Sequence, residues 1–221
     1  MVLGLWYNID MKQLRMEQLA DGIFAIVMTL LVFELHVPDL SGVVTTSKLA
    51  LALLPNIPAL LSFILSFILL FTYWRSHHFI TSVFAKNIDI NMTNINAVFL
   101  LFVALVPFSS SLLGRYSTNV FAIIIFSLHV IFIGISLYWM RRYAEKSAHI
   151  ETDVVTNYEN NHAYVRILFP VFCAVVAIIV SYYSAPLSLF LLTIGILFNL
   201  SRRSTSYIFA FLRLFNRNLE G

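Results

Sequence analysis

Apolar residues run along this chain in long blocks divided by short polar seams, and the blocks have the length of membrane-crossing helices. Six are read off, at residues 14–35, 48–74, 90–112, 119–140, 164–183 and 186–200. The pattern predicts an all-α fold, a single six-helix transmembrane domain over residues 1–221. The first block, LRMEQLADGIFAIVMTLLVFEL, would span about 33 Å as a helix, slightly more than a hydrocarbon core of about 30 Å. The second is over-long and contains Pro55 and Pro58. It is either a tilted helix with a kinked outer end or a short helix leading into a span. The sixth is short enough to be a thin or partly buried helix.

Composition turns these blocks into a membrane protein. Hydrophobic residues make up 60% of the chain, charged residues 11%, and the mean hydropathy is +0.86, a balance that leaves too little polar surface for a soluble domain. The formal charge of +3 does not point to nucleic acid, because the basic residues sit at the ends of apolar blocks as topology signals. Lys12, Arg15, Arg75, Lys86, Arg141, Arg142, Lys146, Arg166, Arg202, Arg203, Arg213 and Arg217 fall on one side. Only Lys48 and Arg115 fall on the other, a bias that places both termini in the cytoplasm. The expected setting is the cell membrane, with the lipid bilayer as solvent. The polar first 13 residues are unlike a cleaved signal peptide. Cys173 is the single cysteine, which excludes disulfides within one chain. In the tail 202–221, the aromatic and arginine pattern of Thr205–Phe215 suits a helix lying on an anionic leaflet.

The first block carries Arg15, Glu17, Asp21 and Glu34. An ionised side chain near the bilayer centre costs roughly 2.5 kcal/mol or more, so a helix bearing Asp21 is expected to face protein or water there. At 100° per residue Asp21 shares a face with Ala25, Met28 and Val32. The far side has two stripes, Gly22–Ile26–Thr29–Phe33 and Ile23–Val27–Leu30–Glu34. Asp21 is therefore expected to point into the subunit's own bundle. The first stripe either lines a narrow water path or packs on another helix, and periodicity alone does not choose. The chain contains no Thr-Val-Gly-Tyr-Gly loop, so a filter of stacked carbonyls is not expected.

Arg15-Met-Glu-Gln-Leu19-Ala20-Asp21, followed by Gly-Ile-Phe-Ala25-Ile26-Val-Met-Thr29, resembles the first-helix signature R-x-x-x-F-S-D of the transmembrane protein 175 family of potassium channels. Tyr73-Trp74-Arg-Ser-His77-His78 and the run Asn91-Met-Thr-Asn94-Ile-Asn96 are similar to the family's second-helix end and third-helix start. Leu19 and Ala20 depart from the pattern, standing where the family has Phe and Ser. The resemblance implies a homotetramer whose pore is lined by the first helix, with K+ and other monovalent cations as permeant species. Counted from the motif aspartate, it puts the pore constriction at Ile26, Thr29 and Phe33. Gly22 and Leu30 would lie beside the pore, and Glu34 either faces its vestibule or is an interfacial carboxylate that snorkels. Arg15, Asp21, Trp74, His77 and Asn96 would then form the network that holds the helix.

On this basis Ile26 is expected to strip ions of part of their hydration and to favour potassium modestly over sodium. The alternative is a proton-coupled secondary transporter using Asp21, Arg15 and His77, against which stands the lack of inverted repeats. An enzyme is not expected. His77 and His78 project about 100° apart on a helix, an awkward geometry for one metal, and no nucleophile lies near. No metal and no cofactor are expected.

Overall fold

A computed structural model of the protein describes residues 13–153 and 157–200. The first block is helix α1, Gln13–Leu30, tightening into a 3-10 turn at Leu31–Glu34. The second resolves into a short helix α2, Thr46–Leu53, a 3-10 turn Leu54–Asn56 and a long α3, Ile57–His78. Thr45 starts α2 by accepting the Lys48 amide, 3.3 Å away. Pro58 lies in the first turn of α3, where its missing N–H costs no helical bond. Of the two forms open to this block, the short lead-in helix is the one found. A π-helical turn, Phe79–Phe84, follows α3.

The third block is broken. Helices α4, Ile90–Ala104, and α5, Val106–Arg115, meet at Leu105, because Pro107 lacks an amide and disfavours helical backbone before it. Helix α6 runs from Val120 to Lys146, α7 from Asn157 to Ser181, and α8 from Ala185 to Leu197, with a final 3-10 turn to Leu200. Asp89, Asn119 and Ser184 cap α4, α6 and α8 through side-chain oxygens that accept the amides of Met92, Phe121 and Leu187. Among the described residues, five helical segments are long and apolar enough to cross a membrane, and Ala185–Leu200 is a shorter sixth. The chain is thus an all-α, multi-pass membrane protein. The expected tail helix lies outside the described residues.

Helix α6 is the core of the bundle. Its buried residues Ile123, Phe126, Val130, Ile133, Leu137 and Met140 recur every three or four positions and pack against α4, α5 and α7. Helix α8 closes over α7 and reaches α3, while α1 lies at the edge against α3 and α4. The charge pattern assigns Arg141 to a cytoplasmic loop, yet it is fully buried. The reason is that α6 continues six residues beyond the block's end at Met140, carrying Arg141 inward. Its guanidinium lies 4.5 Å from the Phe84 ring centre and 5.4 Å from that of Tyr164, and it donates to Asn160 Oδ1 at 2.7 Å.

Helices α3 and α5 are joined by a seam of small and hydroxyl side chains. Ser62 donates to the Ser110 carbonyl at 2.7 Å, and Ser66 donates to Ser110 Oγ at 2.9 Å. A methyl group on Gly114 would lie 2.9 Å from the Ala59 backbone carbon. Gly114→Ala is therefore expected to destabilise the protein by about 1–3 kcal/mol through overpacking. A lowered thermal unfolding midpoint in detergent checks this, and an unchanged midpoint contradicts it.

Candidate functional site

Helix α1 divides cleanly into two faces. Met16, Ala20, Phe24, Val27 and Leu31 recur every three or four residues and form the buried stripe. On the opposite side Arg15, Leu19, Gly22, Ile26, Thr29, Leu30 and Phe33 are all exposed. Ile26 is 60% and Phe33 73% exposed, in the range of the outward-facing Phe121 and Phe172 on other spans, at 65% and 64%, so exposure alone does not set this face apart from one that meets lipid. The winding tightens after Leu30, and a 3-10 turn adds about 20° per residue over an α-helix. Phe33 is thereby carried off the line of Ile26 and Thr29 while staying on the bare side. Glu34 is half-buried at the end of this turn.

Two details of the bare face bear on its chemistry. Apart from the surrounding backbone of α1 and its chain neighbours, no atom lies within 4 Å of where a Gly22 side chain would begin. A mid-helix glycine costs about 0.5–1 kcal/mol relative to alanine, and no packing inside the chain requires it. Thr29 Oγ1 donates back to the carbonyls of Ala25 and Ile26, at 3.0 and 2.8 Å. With its proton turned inward, the hydroxyl keeps its lone pairs outward, as an acceptor.

Asp21 differs from expectation. It does not enter the bundle but sits exposed at its edge, because the buried stripe of α1 is centred on Phe24 and Ala20. There the Trp74 indole N–H donates to Asp21 Oδ1 at 2.7 Å. These two residues border an open groove of about 260 Å³, also lined by Phe24, Ala25, Met28 and Phe71. Trp74 stacks on His78, with ring centres 5.9 Å apart.

His77 turns the other way and is buried. Its Nε2–H donates to Asn96 Oδ1 at 2.7 Å, joining α3 to α4. Its ring stacks on Phe99 at 5.2 Å and tilts against Phe24 at 6.4 Å. Two pairs thus flank α1, Asp21–Trp74 at its edge and His77–Asn96 behind its buried face. Arg15 joins neither, and among the described residues no hydrogen bond or ion pair reaches it. Arg15, Asp21 and His77 therefore do not converge on one site. Nor, among the described residues, do three metal-ligating side chains converge anywhere.

One contact has no counterpart in the sequence reading. Gln13, the first residue of α1, donates both amide hydrogens to the turn after α3, to the carbonyls of Thr81 and Ala85. A glutamine among other polar residues carries no periodic signal that would have singled it out.

The fold defines an all-helical, multi-pass membrane protein. The sequence profile of the endosomal/lysosomal potassium channel TMEM175 matches residues 15–107. A potassium channel of Chamaesiphon minutus is 33% identical over 153 residues, covering 64% of this chain and 74% of that protein. A potassium channel of Streptomyces collinus is 32% identical over 102 residues, 46% of this chain and 48% of the relative. The crystal structure of a homologue, from Chamaesiphon minutus, of the lysosomal potassium-selective channel TMEM175 superposes with a TM-score of 0.74 at 27% identity. That match covers 87% of this chain and 98% of the other. The chain belongs to the TMEM175 family of potassium channels, proteins that are channels and not enzymes.

Proposed function

We propose that this chain is a potassium-permeable cation channel in which four copies surround an axis with their α1 helices. The observation that carries the reading is the bare stripe of α1. It runs the length of the helix, and its glycine serves no contact within the chain. A lone helix cannot enclose a pore, so closure needs further copies, and four is the number the family resemblance implies.

In this arrangement Ile26 side chains form an apolar constriction that ions pass after losing part of their hydration water. Potassium gives up water more readily than sodium, so the ring favours it modestly. The outward lone pairs of Thr29, one turn further out, replace part of the lost hydration. Leu30 flanks this ring and Gly22 leaves room below it. Glu34 raises the local cation concentration at the outer vestibule. Asp21–Trp74 and His77–Asn96 hold the helix at its inner half. A small rotation of α1 closes the pathway, because a tightened apolar ring empties of water. The charge bias supports both termini lying in the cytoplasm, and the membrane proposed is the cell membrane. No cofactor enters the mechanism.

Potassium flux into proteoliposomes tests the assignment. Flux down a gradient with chloride excluded supports it; absent flux, or equal passage of chloride, overturns it. Gly22→Leu adds a finer check. The position is open, so the unfolding midpoint should hold, while potassium flux falls by about tenfold, or about 1.4 kcal/mol of added barrier. Unaltered flux would remove Gly22 from the pathway.

A further inference from the structure

The foot of α1 rests on the turn that follows α3, and that turn is built into the cytoplasmic layer of α6 and α7. Inside the turn the Ala85 amide donates to the Ile80 carbonyl at 3.0 Å, a π-type bond. The next amide, of Lys86, leaves the turn and donates to the Glu151 carbonyl at 2.8 Å. Continued π winding would bring that amide to the Thr81 carbonyl, which instead accepts from Gln13. The hold on α1 therefore depends on where the Lys86 amide goes.

Several contacts keep it there. The Asp153 amide donates to the Phe84 carbonyl at 3.0 Å, completing a short antiparallel bridge between Ala85 and Thr152. Asn87 works in both directions: its Nδ2 donates to the His149 carbonyl at 2.8 Å, and its Oδ1 accepts the Glu151 amide at 2.7 Å. Lys86 and Asp153 form an ion pair at 2.7 Å, which holds the Lys86 ammonium above its ordinary pKa. That pair is exposed and screened, so the neutral Asn87 contacts matter more. Beneath the turn, the buried Arg141 guanidinium lies 4.5 and 5.7 Å from the rings of Phe84 and Phe79. The Tyr143 hydroxyl donates to Asp89, which fixes the start of α4 on the same layer.

We propose that residues 79–89 are a latch through which the α6–α7 connection sets the position of α1, with Gln13 and Asn87 as positioning residues. Latched, the Lys86 amide pairs with the Glu151 carbonyl and Gln13 caps the carbonyls of Thr81 and Ala85. Released, the Lys86 amide returns to Thr81 and takes the carbonyl that Gln13 holds there, so the foot of α1 loses that hydrogen bond. Anything that binds or displaces residues 149–153 then acts on α1 from the cytoplasmic layer. The effect on conduction rests on the proposal that α1 lines the pathway.

The test is a double-mutant cycle of Asn87→Ala and Gln13→Ala in the full chain, read by amide hydrogen exchange over residues 13–20 and by open probability in planar bilayers. Asn87 is exposed, so its variant should fold. Each single variant is expected to speed exchange at the foot of α1 by about fivefold, the scale of one hydrogen bond. The double variant should go no further. Open probability should shift in the same direction in all three, with the potassium-to-sodium ratio unchanged. Unaltered exchange in Asn87→Ala, or effects that simply add, overturns the latch. Altered exchange with an unaltered current in a conducting channel overturns its coupling to conduction. If the unsubstituted protein passes no current, the conduction assignment fails by itself and exchange alone decides the latch.

Discussion

Replacing Ile26 by Asn is expected to let sodium through nearly as well as potassium. A narrow apolar ring discriminates by the water each ion must shed, and it offers no ligand in return. In the proposed four-fold pore, four carboxamides would supply oxygens to both ions, so the dehydration difference would no longer count. A tenfold loss in the potassium-to-sodium ratio corresponds to about 1.4 kcal/mol, well within what partial hydration of the ring can change. Ile26 is 60% exposed in the chain, so the substitution creates no buried unpaired polar group within the subunit. Ile26→Val keeps an apolar ring and should keep the preference. Reversal-potential measurements in mixed potassium and sodium check both variants. An unchanged ratio in Ile26→Asn would move selectivity to another position.

Phe24→Ala is expected to produce the largest loss of stability. Phe24 is 1% exposed, and its ring lies 6.0 Å from that of Phe99 and 6.4 Å from that of His77. Removing it leaves a cavity between α1, α3 and α4, at a cost of about 3–5 kcal/mol. The unfolding midpoint should fall by roughly 10 °C for a chain of this size. The loss falls on the stripe that seats α1, because α1 meets its neighbours through this stripe and through Gln13 and Asp21. Phe24→Leu should recover much of the stability. A midpoint within 2 °C of the unsubstituted protein would show that α1 is held by something else.

Hydropathy made the spans legible, because a bilayer demands length and apolarity whatever the neighbours are. It hid the break in the third block. Val106 and Phe108 are as apolar as the helices on either side, and only Pro107 marks the interruption. It also misjudged Arg141, since a positive charge beside an aromatic cage looks in sequence like any other loop arginine.

The faces of α1 were harder to assign. Periodicity states which residues share a face but not which face meets the bundle. In a helix with apolar residues on every side, Ala20 and Phe24 look no more inward than Gly22 and Ile26. Asp21 was therefore expected inside, whereas it lies at the edge and is paired by Trp74 from α3. The motif named the residue types proposed to hold the helix, of which Arg15 joins neither observed pair. The pairing, Asp21 with Trp74 and His77 with Asn96, depends on how α3 and α4 are set against α1, which no single helical pattern contains. Gln13 lay outside both signals.

Cysteine accessibility along α1 tests the account most directly. In a Cys173→Ala background, which removes the buried native thiol, single cysteines are placed at positions 26, 27 and 29. A water-borne cationic thiol reagent should modify positions 26 and 29 and reduce potassium current, while position 27, on the buried stripe, stays protected. Protection of 26 and 29 in every state, with conduction continuing, would show that the ions travel elsewhere.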